Sequence, residues 1–421
     1  MIALAVGAVV PGCAVTSTPP PTPARMAELE SRQAARPASA EARLQLAAAY
    51  HAANRHGEVA NLLEPVVQAA PRDPAVWFLL ASAHQAEGRL AEARAAWQSF
   101  LESGPPPALQ RKARARLALL ERRELEAAVR TAIAREQTLA AQPAQPRNIG
   151  VFPFLFRGNS EYQPLGAALA EMLTTDLAQT DRLTILERAR IQFMMDELRL
   201  AESGLVDTTT AARLGRMLGA GRLVQGSIDE AAGQLRLDAL VVALAGLRDT
   251  AQAPVRQQGP LDQLFELEKQ LALALYAQLG VQLTVAERER VLLRHTDNVQ
   301  ALLAFGFGLD ADRASRWAEA AGHFERALRF DGRFELARNW LEQAQLRAEA
   351  SAEDDDELDR LAELELGWYL PDWLRRRHRF RAVDPIVPGP NTRNPIPELF
   401  GVDALDQRAR VIVVVRPPRS E

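Results

Sequence analysis

Pro37, Pro71 and Pro105 stand 34 residues apart. A fixed period of this length is the mark of stacked helical hairpins, none of which can bury its apolar face alone. The segment between the last two prolines is the best formed, with Trp77, Leu80, Ala81, Gly88, Ala93, Trp97 and Phe100 in order. Large residues fill the contact between two helices, the alanines let them approach, and the glycine permits the turn. The preceding unit keeps Leu46, Ala47, Tyr50 and Leu63 but puts Val59 where a small residue is usual, as a capping unit would. A third unit stands far downstream, with Phe307, Gly308, Trp317, Ala320, Phe324, Ala327 and Leu328, closed by Gly332 in place of a proline and followed by a helical stretch over 333–350.

This pattern resembles the tetratricopeptide repeat. The resemblance implies a concave groove that binds partner proteins, with Tyr50, Trp77 and His84 as candidate contact residues. A scaffold role for these helices, with His84 simply packed, is the alternative reading. Two leading repeats and one isolated repeat fall short of the three or so that stand alone. They should therefore pack on the long helix expected over 108–139 and on the domain that follows it.

Ahead of the repeats, residues 1–12 form an apolar run ending at Cys13, the only cysteine in the chain. A bilayer span takes about 20 residues, so the run suits a secretory signal instead. Val10-Pro11-Gly12-Cys13 resembles the bacterial lipoprotein box, which implies lipidation of Cys13 and anchoring to the outer membrane from the periplasmic side. A Pro- and Thr-rich tether is expected over 14–25. One cysteine excludes an internal disulfide and a thiolate metal cluster, and a net charge of −4 disfavours capture of nucleic acid, which needs clustered basic charge.

Pro143 and Pro146 end the first helical region, expected over 26–142, and a new pattern begins. Residues 148–154 read as a buried strand, 165–177 as an apolar-faced helix, 182–186 as a strand, and 189–202 as a helix stopped by Ser203-Gly204. A helix over 211–218, strands over 223–228 and 235–244, and a helix over 261–279 complete a mixed α/β sheet with helices packed on it. The strand over 235–244 is apolar on much of both faces, which predicts a central position.

Here Ile149 to Phe154, Leu165 to Leu177, Ile185-Leu186-Glu187-Arg188, Ser203 to Asp207, Leu214 to Ala220 and Val224 to Ile228 follow one another in an order that resembles the CsgG/HfaB family. That family comprises curli-transport and holdfast-anchor lipoproteins of the bacterial envelope. The resemblance spans 147–283. It implies a non-catalytic periplasmic protein that helps assemble, anchor or export a cell-surface structure, with other envelope or secretion proteins as partners and homo-oligomers expected. Glu187 suits a helix start and Arg188 an ion pair. The family's secretion channel inserts barrel hairpins beside the strands matched here by 223–228 and 235–244. A membrane hairpin needs about 20 residues of alternating character, whereas residues 229–234 make only a turn, and 248–260 carries two prolines and no alternation. A channel subunit and an envelope ligand-binding sensor are the rival readings.

The six histidines show no metal-binding spacing, His51 and His56 standing five apart, so neither cofactor nor metal is expected. The downstream repeat and the helix that follows it are together placed at 296–350. Beyond them, 351–421 is expected to be an acidic linker and Pro-rich tail containing an aromatic and Arg-rich stretch over 368–381 and a strand candidate over 410–415.

Overall fold

A computed structural model describes residues 21–69, 72–139, 145–198, 208–243, 253–352 and 355–367. Cys13, the Ser203-Gly204 stop, the aromatic and Arg-rich stretch and the 410–415 candidate lie outside the described residues.

Helix α1 (Pro23–Ala35) opens on a Thr22 side chain that accepts from Arg25 N, with proline at the first helical position, a placement that sacrifices no hydrogen bond. It begins inside the stretch expected to be tether. α2 (Ala40–Ala52) and α3 (His56–Ala69) form the first hairpin, with Val59 fully buried beside Leu29 of α1 in one core. The larger side chain at 59 is accommodated because this core also contains a helix ahead of the first unit. α4 (Pro74–Ala86), capped by Asp73, and α5 (Leu90–Glu102) form the second hairpin. Phe78, Trp97 and Phe100 meet edge to face there, with centroids 5.5–5.9 Å apart, the geometry that aromatic quadrupoles favour.

α6 (Pro107–Ala134) is one uninterrupted helix, about 42 Å long at 1.5 Å per residue. Its first turns, through Leu109, Ala113 and Leu120, complete the repeat core. Its last turns, through Val129 and Ala132, join a cluster on the α/β domain. The helix expected to run to 139 breaks at Arg135, and α7 (Glu136–Leu139) continues as a single turn.

The sheet is built from β1 (Asn148–Val151), β2 (Leu155–Arg157), β3 (Thr184–Ile185), β4 (Arg222–Ala231), β5 (Gln234–Ala243) and β6 (Val255–Pro260). Its order is β3-β1-β4-β5-β6, with β2 also on β4. β1 is parallel to β3 and β4, β2 is parallel to β4, and the β4-β5-β6 edge is antiparallel. β1 and β2 follow the same neighbour, pairing Val151 with Val224 and Leu155 with Ser227. One extra residue therefore bulges at 152–154. The bulge swings the Phe154 ring over Gly226, where a Cβ would come within 2.2 Å of the ring.

One sheet face, with Val224, Ile228, Leu237 and Ala239, packs on α8 (Leu165–Leu177) and α11 (Leu264–Gln278). The other, with Leu223, meets α9 (Arg188–Glu197), α10 (Thr208–Leu218) and the end of α6. β5 has the expected interior place but buries only alternate residues. Its Arg236 and Asp238 join Asp229 and Arg256 in a surface ladder of ion pairs at 2.7–3.0 Å, so the outer face of this end is polar. β6 lies within 248–260, the segment whose sequence shows two prolines and no alternation. An edge strand needs backbone partners more than apolar alternation, and its Pro260 sits at the last pairing, where a missing N–H costs little.

α12 (Val285–Leu292) opens with a reciprocal capping box between Thr284 and Glu287. It leads to the downstream hairpin of α13 (Val299–Arg313) and α14 (Trp317–Phe330), followed by α15 (Glu335–Ala352). Leu302, Phe305, Leu309 and Phe324 belong to the same core as α8 and α11. This helical pair leans on the sheet domain, as its isolation in the sequence predicts. The acidic segment after it differs from the expected linker. It forms α16 (Asp355–Leu366), whose Leu358, Ala362 and Leu366 lie in the core of the N-terminal repeats.

Candidate functional site

Repeat arrays present a concave binding surface, and here α2 and α4, the first helices of the two hairpins, together with the start of α6 border one surface on which α16 lies. α16 packs against α4 and α6 and reaches α2 through His51 Nε2, 2.9 Å from Asp359 Oδ2. Arg116 of α6, itself buried, holds Asp355 at 2.6 Å. The apolar residues Leu358, Leu361, Ala362 and Leu366 recur at one-turn intervals and supply the contact face.

Of the candidate contact residues, Tyr50 and His84 are buried within the repeats and Trp77 is half-buried beside them. Tyr50 turns toward α1, its hydroxyl donating to Glu30 Oε1 at 3.0 Å and its ring lying 4.1 Å from the Arg55 guanidinium carbon. Burial, reinforced by the Glu30 carboxylate, pushes its phenol pKa upward. Trp77 is half-buried against the repeat core. His84 is buried, and its Nδ1 has no hydrogen-bond partner among the described residues. Burial, then the Arg89 charge, lowers its pKa, which suits the packing alternative. The residue on α16 that sequence reasoning missed is Asp359. His51 was noted only for its spacing from His56. The two rings stand edge to face at 5.5 Å, and burial followed by the His51 charge lowers the His56 pKa. Among the described residues no group of three or more His, Cys, Asp or Glu could hold a metal ion.

A second polar region joins α6 to the sheet domain. A cavity of about 640 Å³ is bordered by Arg122 of α6, Glu171 of α8, Glu187 and Arg188 at the start of α9, Asp312 of α13 and Arg347 of α15. Arg188 Nε lies 2.8 Å from Glu171 Oε2, while Trp340 Nε1 donates to Glu171 Oε1 at 3.1 Å. Arg347 donates to Asp312 at 2.8 Å, and Arg122 stands 3.8 Å from the same carboxylate. The Glu187 carboxyl is raised by burial, against the pull of Arg347 and Arg122. These acids and bases neutralise one another across five helices, and the result is a charged weld between the repeats and the domain.

A third cluster is wholly internal. Asp176 of α8 and Lys269 of α11 are 1% and 2% exposed and paired at 2.7 Å. His295 Nε2 contacts the other Asp176 oxygen at 3.0 Å, Glu268 stands 3.2 Å from Lys269 Nζ, and the Tyr276 hydroxyl donates to the Asp176 backbone carbonyl at 2.7 Å. Burial pushes the Asp176 carboxyl up, but His295, Glu268 and Lys269 together outweigh it and the net shift is downward. Glu268 is driven well above the usual carboxylate range by burial and by the Asp176 charge. The cluster locks α8, α11 and the segment before α13 into one arrangement.

The family model for the curli production assembly/transport component CsgG matches residues 130–231, from the last turns of α6 through β4. The tetratricopeptide repeat model matches 51–117, from the end of α2 to the middle of α6. No curated protein matches the chain. Glu171, Glu187 and Arg188, which meet at the charged cavity, all lie inside the CsgG match.

Proposed function

As a CsgG-family protein carrying tetratricopeptide repeats, this chain, we propose, is a non-catalytic envelope lipoprotein that assists assembly, anchoring or export of a cell-surface structure through protein contacts. The observation that carries the reading is α6. One continuous helix completes the repeat core at its start and packs on the sheet domain at its end, so a partner held by the repeats is presented at a fixed position relative to the CsgG-type domain. The domain then serves oligomerisation or docking and the repeats serve recruitment.

A closed β4–β5 hairpin favours this over a secretion channel. Ala231 pairs with Gln234, and the intervening Ala232 and Gly233 have φ of 52° and 76°, the two-residue I′ turn of a tight hairpin. The 11 residues between β5 and β6 are also fewer than the roughly 20 that two membrane strands require.

Lipidation of Cys13, periplasmic location and attachment to the outer membrane complete the proposal. Affinity capture of the full chain from envelope fractions, with and without globomycin, tests it. The proposal expects an unprocessed precursor to accumulate under globomycin and envelope or secretion proteins to co-purify. A chain that stays cytosolic with its full leader, or that captures none of them, overturns it.

A further inference from the structure

We propose that α16 is an internal occupant of the repeat groove, and that the groove's external partner is an acidic amphipathic helix that displaces it. The proposal rests on the docking role of the repeats and adds to it the chemistry of the partner and a closed resting state. Four observations support it.

α16 sits where a ligand would, against α4 and α6 and in touch with α2 through His51. Its apolar residues stand in a single stripe, Leu358, Leu361, Ala362 and Leu366, and Ala362 is fully buried. Amphipathic helices dock into grooves through anchors at this spacing. Its charge complements the groove. Residues 355–366 hold six carboxylates and one arginine, and they face the buried Arg116 and His51 through Asp355 and Asp359. Lys112 precedes Arg116 by one turn on α6. Finally, α16 is separated from the end of α15 by only residues 353 and 354, so it is held near the groove without being part of either hairpin.

Tethering gives such a segment an effective local concentration of about 1 mM. If the free helix binds the open groove at about 10 μM, the tethered copy weakens any competitor about 100-fold. A partner of the same pattern must therefore be tighter or multivalent, or must engage a second site on the domain.

The test uses the full chain and, as probe, a fluorescein-labelled peptide of residues 355–367. Leu358→Asp with Ala362→Arg expels α16 from the groove, and fluorescence anisotropy should show the peptide binding this variant about 100-fold more tightly than the unaltered chain. The milder Asp359→Arg, on a side chain that is 37% exposed, leaves the repeat core intact and should give at least a ten-fold gain. A scrambled peptide of equal composition should bind neither. Equal peptide binding by all three chains overturns the proposal, as does absence of binding by variants whose circular dichroism matches the unaltered chain. The docking role itself fails differently, by an opened chain that takes the peptide and captures no envelope protein.

Discussion

Replacing Lys269 by methionine keeps most of the side-chain volume and removes one charge from a site that is 2% exposed. The lost partner is Asp176, 2.7 Å away and 1% exposed. Breaking a buried pair from one side leaves the other charge uncompensated, at a cost of about 3–5 kcal/mol. His295 still contacts Asp176 at 3.0 Å, which places the expected loss at the lower end, about 3 kcal/mol. Asp176→Asn should cost a similar amount, because it strands the ammonium beside Glu268. The double variant removes both charges and should cost no more than either single change, a coupling of at least about 3 kcal/mol. Urea unfolding of the four chains, followed by far-ultraviolet circular dichroism, gives the cycle. Additive losses, or a Lys269→Met cost below about 1 kcal/mol, would refute the view that this cluster holds α8 to α11.

Ala232 occupies a positive-φ position of the β4–β5 turn where asparagine is favoured, so Ala232→Asn should raise stability by about 0.5–1 kcal/mol, read as a shifted urea midpoint. Gly226→Ala places a Cβ against the Phe154 ring and the Asp238 carbonyl and should cost about 1–3 kcal/mol. Phe154→Leu in the same chain should recover part of that in the same assay. Glu268 has a folded pKa above its unfolded one, so its contribution is fully present below the unfolded pKa and is lost as pH rises through the folded value. Glu268→Gln should flatten that alkaline decline in a pH series of melting curves. His56 and His84 have folded pKa values below their unfolded ones. Stability should therefore fall as pH drops below about 6.5 until the folded values are passed, and His84→Gln should blunt the fall. Glu287, lowered to about 2 by the Thr284 backbone and by Arg182, adds an acid-side loss as pH falls from the unfolded carboxylate pKa toward 2, which Glu287→Gln should remove.

The repeats were legible because their aromatic and small residues keep a fixed order and each such residue does one packing job. Trp97 and Phe100 are as buried as that order implies. The sheet domain was legible from its apolar strands, but two of its features were not. β6, with Arg256, Gln257 and Gln258, has no apolar signal because an edge strand is held by backbone pairing with β5. β5 looked apolar on both faces, yet its outer face is exposed at Gln234 and Arg236 and only half-buried at Asp238, Leu240 and Val242, because α9 and α10 centre on the β1–β4 part of the sheet. α16 was concealed by its charge. The acidic run at its start suggested a solvated linker, although Leu358, Leu361, Ala362 and Leu366 already carry a helical stripe. Lys269 was conspicuous as one of two lysines in an arginine-rich chain, but only the fold brings it to Asp176, 93 residues away. Tyr50 and His84, assigned from the repeat pattern, are buried, which that pattern alone does not reveal. Position in a repeat places a residue on a helix, whereas the neighbouring helices α1, α3 and α5 decide which side is free.

In the proposed reading, the domain matched by the CsgG model works by contact and carries no channel. Single-channel recording on planar bilayers bearing the full, lipid-modified chain addresses it directly. A flat current at all applied potentials is expected, while discrete, reproducible conductance steps would contradict the account.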